Sequence, residues 1–537
     1  MFGWRNNCPL SCWALSAVSL LGALSSCKKP PEAHPAGSIL RVSQRNEPAT
    51  LDPQLATLPD EFFIIRALSE GLLSPSPDNG APQPAVATHW TISPDGRIYT
   101  FTLNPQASWS DGTPVVAADF VASLQRALTP ATGAPKAALF FPLKNAEAFY
   151  AGREKNFRTV GVHALPNGQL EFTLAEPQAD FLSLVASGPW IPVHSSQIAP
   201  VSPAEQNSAS GASPKNYIGN GPFMLSAWRP HQAIIVTRNP AYRAASSIKL
   251  TAIHFLAFDN GESEERAFRA GQLEVTMSVP FHKLPAYRAI QPPILRSVPQ
   301  QETRYLALNT TKPPLTDPRV RQALALALQR RTLTAKVLQG GQVPAYTFIP
   351  PGLGHYESGL ALQENIPAAR RLLADAGFPE GRGFPRLELT TWYPAPALEV
   401  MQQVWRRELG IEITLAQREA RTHLAALAAG DYDLALMTAI PDYPSAADLL
   451  TQLTSGHSAN YPHWRNAEFD RLIRSANQQP SLGLRHQDYA AAEKILLEEM
   501  PVIPLYFNVQ NFLIRPAVKN WNTDGLWTRF FVGLTLE

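Results

Sequence analysis

The hydrophobic pattern along this chain switches repeatedly between two periods from Ile39 onward. "RIYTFTL" (Arg97–Leu103) and "QLEFTL" (Gln169–Leu174) alternate apolar and polar residues beside turn residues, which predicts half-buried strands. "DGTPVVAADFVASLQRALTP" changes to the helical period and predicts a helix opening near Thr113–Pro114, with Val116, Phe120, Leu124 and Leu128 on one face. "LTDPRVRQALALALQRRTL" opens another, with Asp317 in the cap position. Pro318 takes the first helical position, where its missing N–H leaves no partner unsatisfied.

The most informative stretch runs from Leu387 to Tyr443. "LELTTW" reads as a strand, "ALEVMQQVWRREL" as an amphipathic helix ended by Gly410, and "IEITLA" as a second strand. "REARTHLAALAAG" is a second helix ended by Gly430, and "YDLALMT" a third strand. Such a β-α-β-α-β order predicts three parallel strands with right-handed crossovers. Ligands of open parallel sheets bind outside the carboxyl ends of the strands. Trp392 and Tyr393 follow the first of these strands, and Asp442 follows the third in a turn bracketed by Pro441 and Pro444. A ligand-facing carboxylate and a solvated loop acid are the two readings of Asp442 at this point.

Composition narrows the class. A chain of 537 residues has room for two to four domains. Its net charge of +2 provides no basic footprint for nucleic acid. The 50 prolines exceed the usual share of about 5% and fall between the periodic segments, where they stiffen loops. All three cysteines (Cys8, Cys12 and Cys27) lie in the first 27 residues, so the body carries no disulfide, zinc-thiolate site or thiol nucleophile. No GxSxG, HExxH, P-loop, GxGxxG or EF-hand pattern occurs, and neither a cofactor nor a metal is expected. His457 and His463 are spaced by six, which fits no familiar metal motif, and Asp431 and Asp433 flank a strand as edge charges.

At the N-terminus, Arg5 precedes an uncharged segment with the apolar centre "LSAVSLLGAL", which ends in "LSSC" (Leu24 to Cys27). This resembles the lipobox of bacterial lipoproteins, in which the signal is cut before the cysteine and that cysteine is lipidated. The alternative is an uncleaved membrane helix, against which the serines between Ser11 and Ser26 count. "KKPPEAHPAG" (Lys28 to Gly37) then reads as a short semi-rigid tether.

Several stretches, in order, resemble the large peptide-binding proteins of ABC importers, extracellular solute-binding protein family 5. They are "EPATLDPQLATLPDEFFIIRALSEGLL", "ASWSDGTPVVAADFVASLQRAL", "YIGNGPFMLSAW" with "VTRNPAY", "RYLALNTTKPPLTDPRVRQALALAL", "NYPHWRNAEFDRLI" and "MPVIPLYF". The resemblance implies an α/β, two-lobed periplasmic-binding-protein-like fold with an additional inserted domain. It divides the chain into a signal peptide (1–26), a tether (27–37), a discontinuous lobe I (38–73, 199–302 and 510–537), an inserted domain (74–198) and lobe II (303–509). It implies a non-enzymatic, monomeric lipoprotein anchored through Cys27, facing the periplasm or the cell exterior. Such a protein holds an extended peptide between its lobes and passes it to an ABC permease. A different cargo on the same scaffold (metal chelate, haem, opine or sugar) and a secreted hydrolase are the alternatives.

Within the family, an Asp in a D-Y turn after a "D-x-A-x-x-x-x-x-D-Y" strand pairs with the peptide's free ammonium. Here "DLALMTAIPDY" puts that role on Asp442. Further cargo contacts are expected from Tyr443, Trp392, Tyr506 and Asn508. Two departures are visible: Ala439 stands where relatives often have Trp, and "LAAGDYDLALMTA" lacks the arginines with which tripeptide-favouring members meet the peptide carboxylate. The resemblance therefore leaves peptide length open.

Overall fold

The protein is described by a computed structural model covering residues 39–45, 47–197, 217–522 and 525–537. The expected leader, Cys27 and the expected tether lie outside the described residues.

Strand β1 (Ile39–Gln44) and helix α1 (Pro59–Leu68) open the body. The chain then leaves to build a separate layer from β2 (Ala87–Ile92), β3 (Ile98–Leu103), α2 (Ala117–Leu128), β4 (Val162–Ala164) and β5 (Leu170–Thr173). It returns with β6 (Phe223–Arg229), β7 (Ala233–Arg238) and β8 (Ala252–Ala257). β1 pairs parallel to β8 in a sheet ordered β1-β8-β7-β6, while β2 to β5 form their own sheet ordered β2-β3-β5-β4. Two cores follow. One gathers Leu40, Val42, Phe63, Ile253 and Phe255, and the other Phe101, Trp109, Phe172, Phe181 and Trp190.

α2 starts at Ala117, later than the pattern predicts, because residues 107–115 bond to one another. The Trp109 N–H donates to the Thr113 carbonyl at 2.8 Å and the Val115 N–H to the Ala107 carbonyl at 3.0 Å. The Asp111 carboxylate accepts from the Thr113 N–H at 2.9 Å. Asp119 then caps the helix by accepting from the Val116 N–H at 2.9 Å and from Trp109 Nε1 at 3.0 Å. Val116 is thus the cap residue and is exposed, whereas Phe120, Leu124 and Leu128 are buried as expected.

From β9 (Leu295–Leu308) the chain crosses to the last body. α3 (Pro318–Leu326), with Asp317 accepting from the Arg319 N–H at 2.8 Å, is followed by the short β10 (Val343–Pro344). Next come β11 (Leu387–Thr391), α4 (Pro396–Leu409), β12 (Ile413–Gln417), α5 (Ala420–Ala429) and β13 (Leu434–Ala439). Helices α6 (Ala446–Thr451), α7 (Ala467–Gln478) and α8 (Leu482–Glu499) precede the long return strand β14 (Val502–Leu513). The sheet order is β10-β14-β9-β13-β11-β12, and β11 is parallel to both β12 and β13, as the β-α-β-α-β pattern predicts.

Period two sorts this sheet's side chains between two cores. Leu306, Leu308, Leu434 and Leu436 enter the core beneath α4, while Tyr305, Ala307, Ala435 and Met437 enter the core beneath α7 and α8. β13 is buried on both faces, which is why it reads as a continuous apolar run. α4 ends at Gly410 with φ of 69°, and a Cβ there would meet the Glu380 carbonyl oxygen at 2.3 Å, so glycine is required on both counts. β9 and β14 pair antiparallel from Leu295↔Leu513 to Ala307↔Val502 and thereby join the first and last bodies.

Candidate functional site

Register gathers the candidate residues at one edge of the large sheet. β11 and β13 both end there, and Ala439 is paired with Thr303 of β9, which in turn faces Phe507 of β14. Trp392, Asp442, Tyr443, Tyr506 and Asn508 all fall within a few residues of this line. They separate into two polar groups.

The first surrounds the turn after β13. The Asp442 carboxylate is ion-paired with the ammonium of Lys136, which comes from the layer built by β2 to β5. Both side chains retain 22% exposure. The Asp442 N–H donates to Asp448 Oδ2 at 2.7 Å, so the first turn of α6 fixes the backbone that carries the carboxylate. Tyr443 is 7% exposed, and its ring packs into the core of the β2–β5 layer. Gly354, at φ of 60°, lies under the turn; a Cβ there would meet the Pro444 carbonyl oxygen at 2.8 Å.

A second tie lies alongside. Asp180 accepts from Arg485 Nη1 and Ser445 Oγ, each at 2.5 Å, and the Ala179 N–H donates to the Asn477 carbonyl at 2.9 Å. The β2–β5 layer and the last body are thus joined by two ion pairs, Lys136–Asp442 and Arg485–Asp180.

Asp448 is 5% exposed and lies near both Asp442 and Asp180. Burial, followed by the negative charge of Asp442, pushes its carboxyl well above the usual value of 3.8. Because its folded value is raised, its contribution to stability is fully present below the unfolded value and is lost as pH rises toward the folded one. Asp448→Asn keeps an acceptor for the Asp442 N–H and has no proton to lose. The melting temperature of this variant relative to the unsubstituted protein is therefore expected to rise from about pH 4 upward. A difference that stays flat between pH 4 and 8 contradicts a protonated Asp448.

The second group sits on β9 and β14. Arg304 Nε pairs with Glu302 Oε1 at 2.8 Å, with side-chain exposures of 17% and 1%. Glu302 also accepts from Asn508 Nδ2 and Trp527 Nε1, both at 3.1 Å. Arg304 Nη1 donates to the Tyr393 hydroxyl at 2.6 Å, and the Tyr506 backbone pairs with that of Arg304. Burial acts against the Arg304 charge, but Glu302, Tyr393 and Tyr506 together outweigh it and the guanidinium is held firmly protonated. Trp392 stacks edge-on against Tyr393 and the buried His423, with ring centroids 5.5 and 5.2 Å apart.

Of these groups, Lys136, Asp180, Glu302 and Arg485 lie in none of the family-like stretches, and Arg304 opens one of them without being singled out. Lys136 is separated from Asp442 by 306 residues, and no local pattern announces such a pairing. Ser445 and Asp448 were also missed, although "SAAD" has the form of a helix start that could have found them. His457 and His463 serve turns: His457 Nδ1 accepts from the Ala459 N–H at 3.1 Å, and His463 Nε2 bonds the Leu427 carbonyl at 3.1 Å. Among the described residues no cluster of His, Cys, Asp or Glu is placed to hold a metal, and no helix is long and apolar enough to cross a membrane.

Comparison with known proteins gives a consistent family. A model of the bacterial extracellular solute-binding proteins, family 5 Middle, matches residues 81–461. The chain is 32% identical over 537 residues to the periplasmic murein peptide-binding protein MppA of Escherichia coli (strain K12), with 96% of each chain covered. It is 33% identical over 493 residues to the probable deoxycholate-binding periplasmic protein YgiS of the same strain, covering 89% of this chain and 90% of that one. The solved structure of the Escherichia coli murein tripeptide binding protein MppA superposes with a TM-score of 0.84 at 30% identity, over 94% of this chain and 99% of that one. The unliganded open form of the same protein gives 0.72 over the same shares of the two chains.

Proposed function

This chain belongs to the bacterial extracellular solute-binding proteins of family 5, which bind rather than convert their ligands, and from that premise we propose that its cargo is peptide. The peptide lies extended along the carboxyl-end edge of the large sheet, its main chain bonded in the manner of an added strand. Its ammonium meets Asp442, with Trp392, Tyr506 and Asn508 along its path and Tyr443 anchoring the turn. Delivery to an ABC permease follows, from a membrane anchor at a lipidated Cys27. The single observation that carries the reading is the Asp442 carboxylate: its backbone N–H is held by Asp448 in a proline-bracketed turn, and the carboxylate is already paired with the Lys136 ammonium. Such preorganisation lowers the cost of fixing the site when cargo arrives.

The relative named for deoxycholate makes an anionic, amphipathic cargo the second reading, with Lys136 or Arg304 as the countercharge. A thermal-shift panel of di- to pentapeptides, with deoxycholate included, separates the two. A peptide at about a hundred times its dissociation constant is expected to add about 2.7 kcal/mol of stability, and deoxycholate none. A shift with deoxycholate alone overturns the peptide reading.

A further inference from the structure

On the reading that Asp442 receives the cargo's cation, we propose that Lys136 is a built-in surrogate for that cation and that cargo binds by displacing it. Three separate parts of the chain build its seat. The ammonium meets the Asp442 carboxylate from the last body, sits 5.6 Å from the centre of the Phe62 ring on α1, and is carried by the β2–β5 layer. An aromatic face of this kind attracts a cation without supplying a competing charge.

The neighbouring charges leave Lys136 as the balancing partner. Among the described residues, Asp180, Asp442 and Asp448 share this corner with the cations Lys136 and Arg485. Arg485 is held by Asp180, and Asp448 is buried and carries its proton more readily than an ordinary carboxyl. Lys136 therefore neutralises Asp442. A second ammonium added to the same carboxylate would place two like charges in contact in a partly dehydrated corner, which is costly. Exchange avoids that cost: the lysine stem can swing its ammonium toward water while the cargo's ammonium takes over the carboxylate.

Exchange makes Lys136 a determinant of specificity and of closure. A tethered competitor raises the threshold that an amine must pass, so cargo holding only one weak contact is refused. The same pair ties the β2–β5 layer to the last body while the cleft is empty, and the Asp180–Arg485 tie persists when cargo breaks it.

The test uses calorimetry with the tightest member of an alanine-based panel of di- to pentapeptides, free and N-acetylated. Lys136→Met is expected to tighten binding of the free peptide by about tenfold, the scale of a close charge pair. It should leave the acetylated peptide unchanged, and Lys136→Gln should act in the same direction. Small-angle scattering of the empty Lys136→Met protein should show a larger radius of gyration. Equal or weaker binding by both variants overturns the exchange, and weaker binding identifies Lys136 as a direct cargo contact. Asp442→Asn separates the two claims. If it weakens the free peptide while the lysine variants do not tighten it, the exchange fails and the ammonium site stands. If neither Asp442→Asn nor acetylation matters, or no panel member binds, the ammonium site falls and the exchange with it.

Discussion

Asp442→Asn is expected to weaken binding of a peptide with a free N-terminus by about a hundredfold or more. Removing one partner of a buried ion pair costs about 3–5 kcal/mol, and each 1.4 kcal/mol is about tenfold in affinity. The 22% exposure of the Asp442 side chain lowers that cost. Exchange with Lys136 lowers it further, because the variant has no Lys136–Asp442 pair for the cargo to break. An N-acetylated peptide should bind the unsubstituted protein poorly and lose little more on passing to the variant, since the pair is already broken and the two effects do not add. Calorimetry on the four combinations gives the coupling. A change within about 0.5 kcal/mol, together with indifference to acetylation, would identify Asp442 as a solvated loop acid.

What could be read from sequence divides by range of interaction. The β-α-β-α-β unit was legible because its signals are local: period-two and helical runs, with glycine stops at Gly410 and Gly430. The place of Asp442 followed from the general rule for parallel sheets, and β13 does end at Ala439, three residues before it. The start of α2 was misplaced because Pro114 is a strong local sign of a helix start, whereas the true start depends on Asp119 reaching back to Val116 and Trp109. The charge partners were not legible at all. Lys136, Asp180 and Arg485 are ordinary surface-type residues in sequence, and only the packing of one layer against another turns them into pairs. The site residue least expected from pattern is Glu302: in "QQETRYLAL" it looks like a solvent-facing position, yet it is nearly fully buried.

Glu302→Gln is expected to destabilise the protein by about 3 kcal/mol, the lower end of what breaking a buried pair costs. The carboxylate accepts from three donors, Arg304, Asn508 and Trp527, and the amide that replaces it can accept at only one oxygen. Arg304 cannot shed its proton, so it is left charged and mostly buried, with the Tyr393 hydroxyl as a neutral acceptor. Replacing both partners, as Glu302→Gln with Arg304→Met, should cost less than the two single substitutions together, because the second removes the charge that the first strands. Urea unfolding should show the midpoint fall in the single variants with the slope unchanged, since the surface exposed on unfolding is the same. The pair lies where β9 and β14 cross from the first body to the last, so its loss weakens the connection between them. A Glu302→Gln midpoint within error of the unsubstituted protein means that water reaches Arg304 freely. The pair would then be a surface contact.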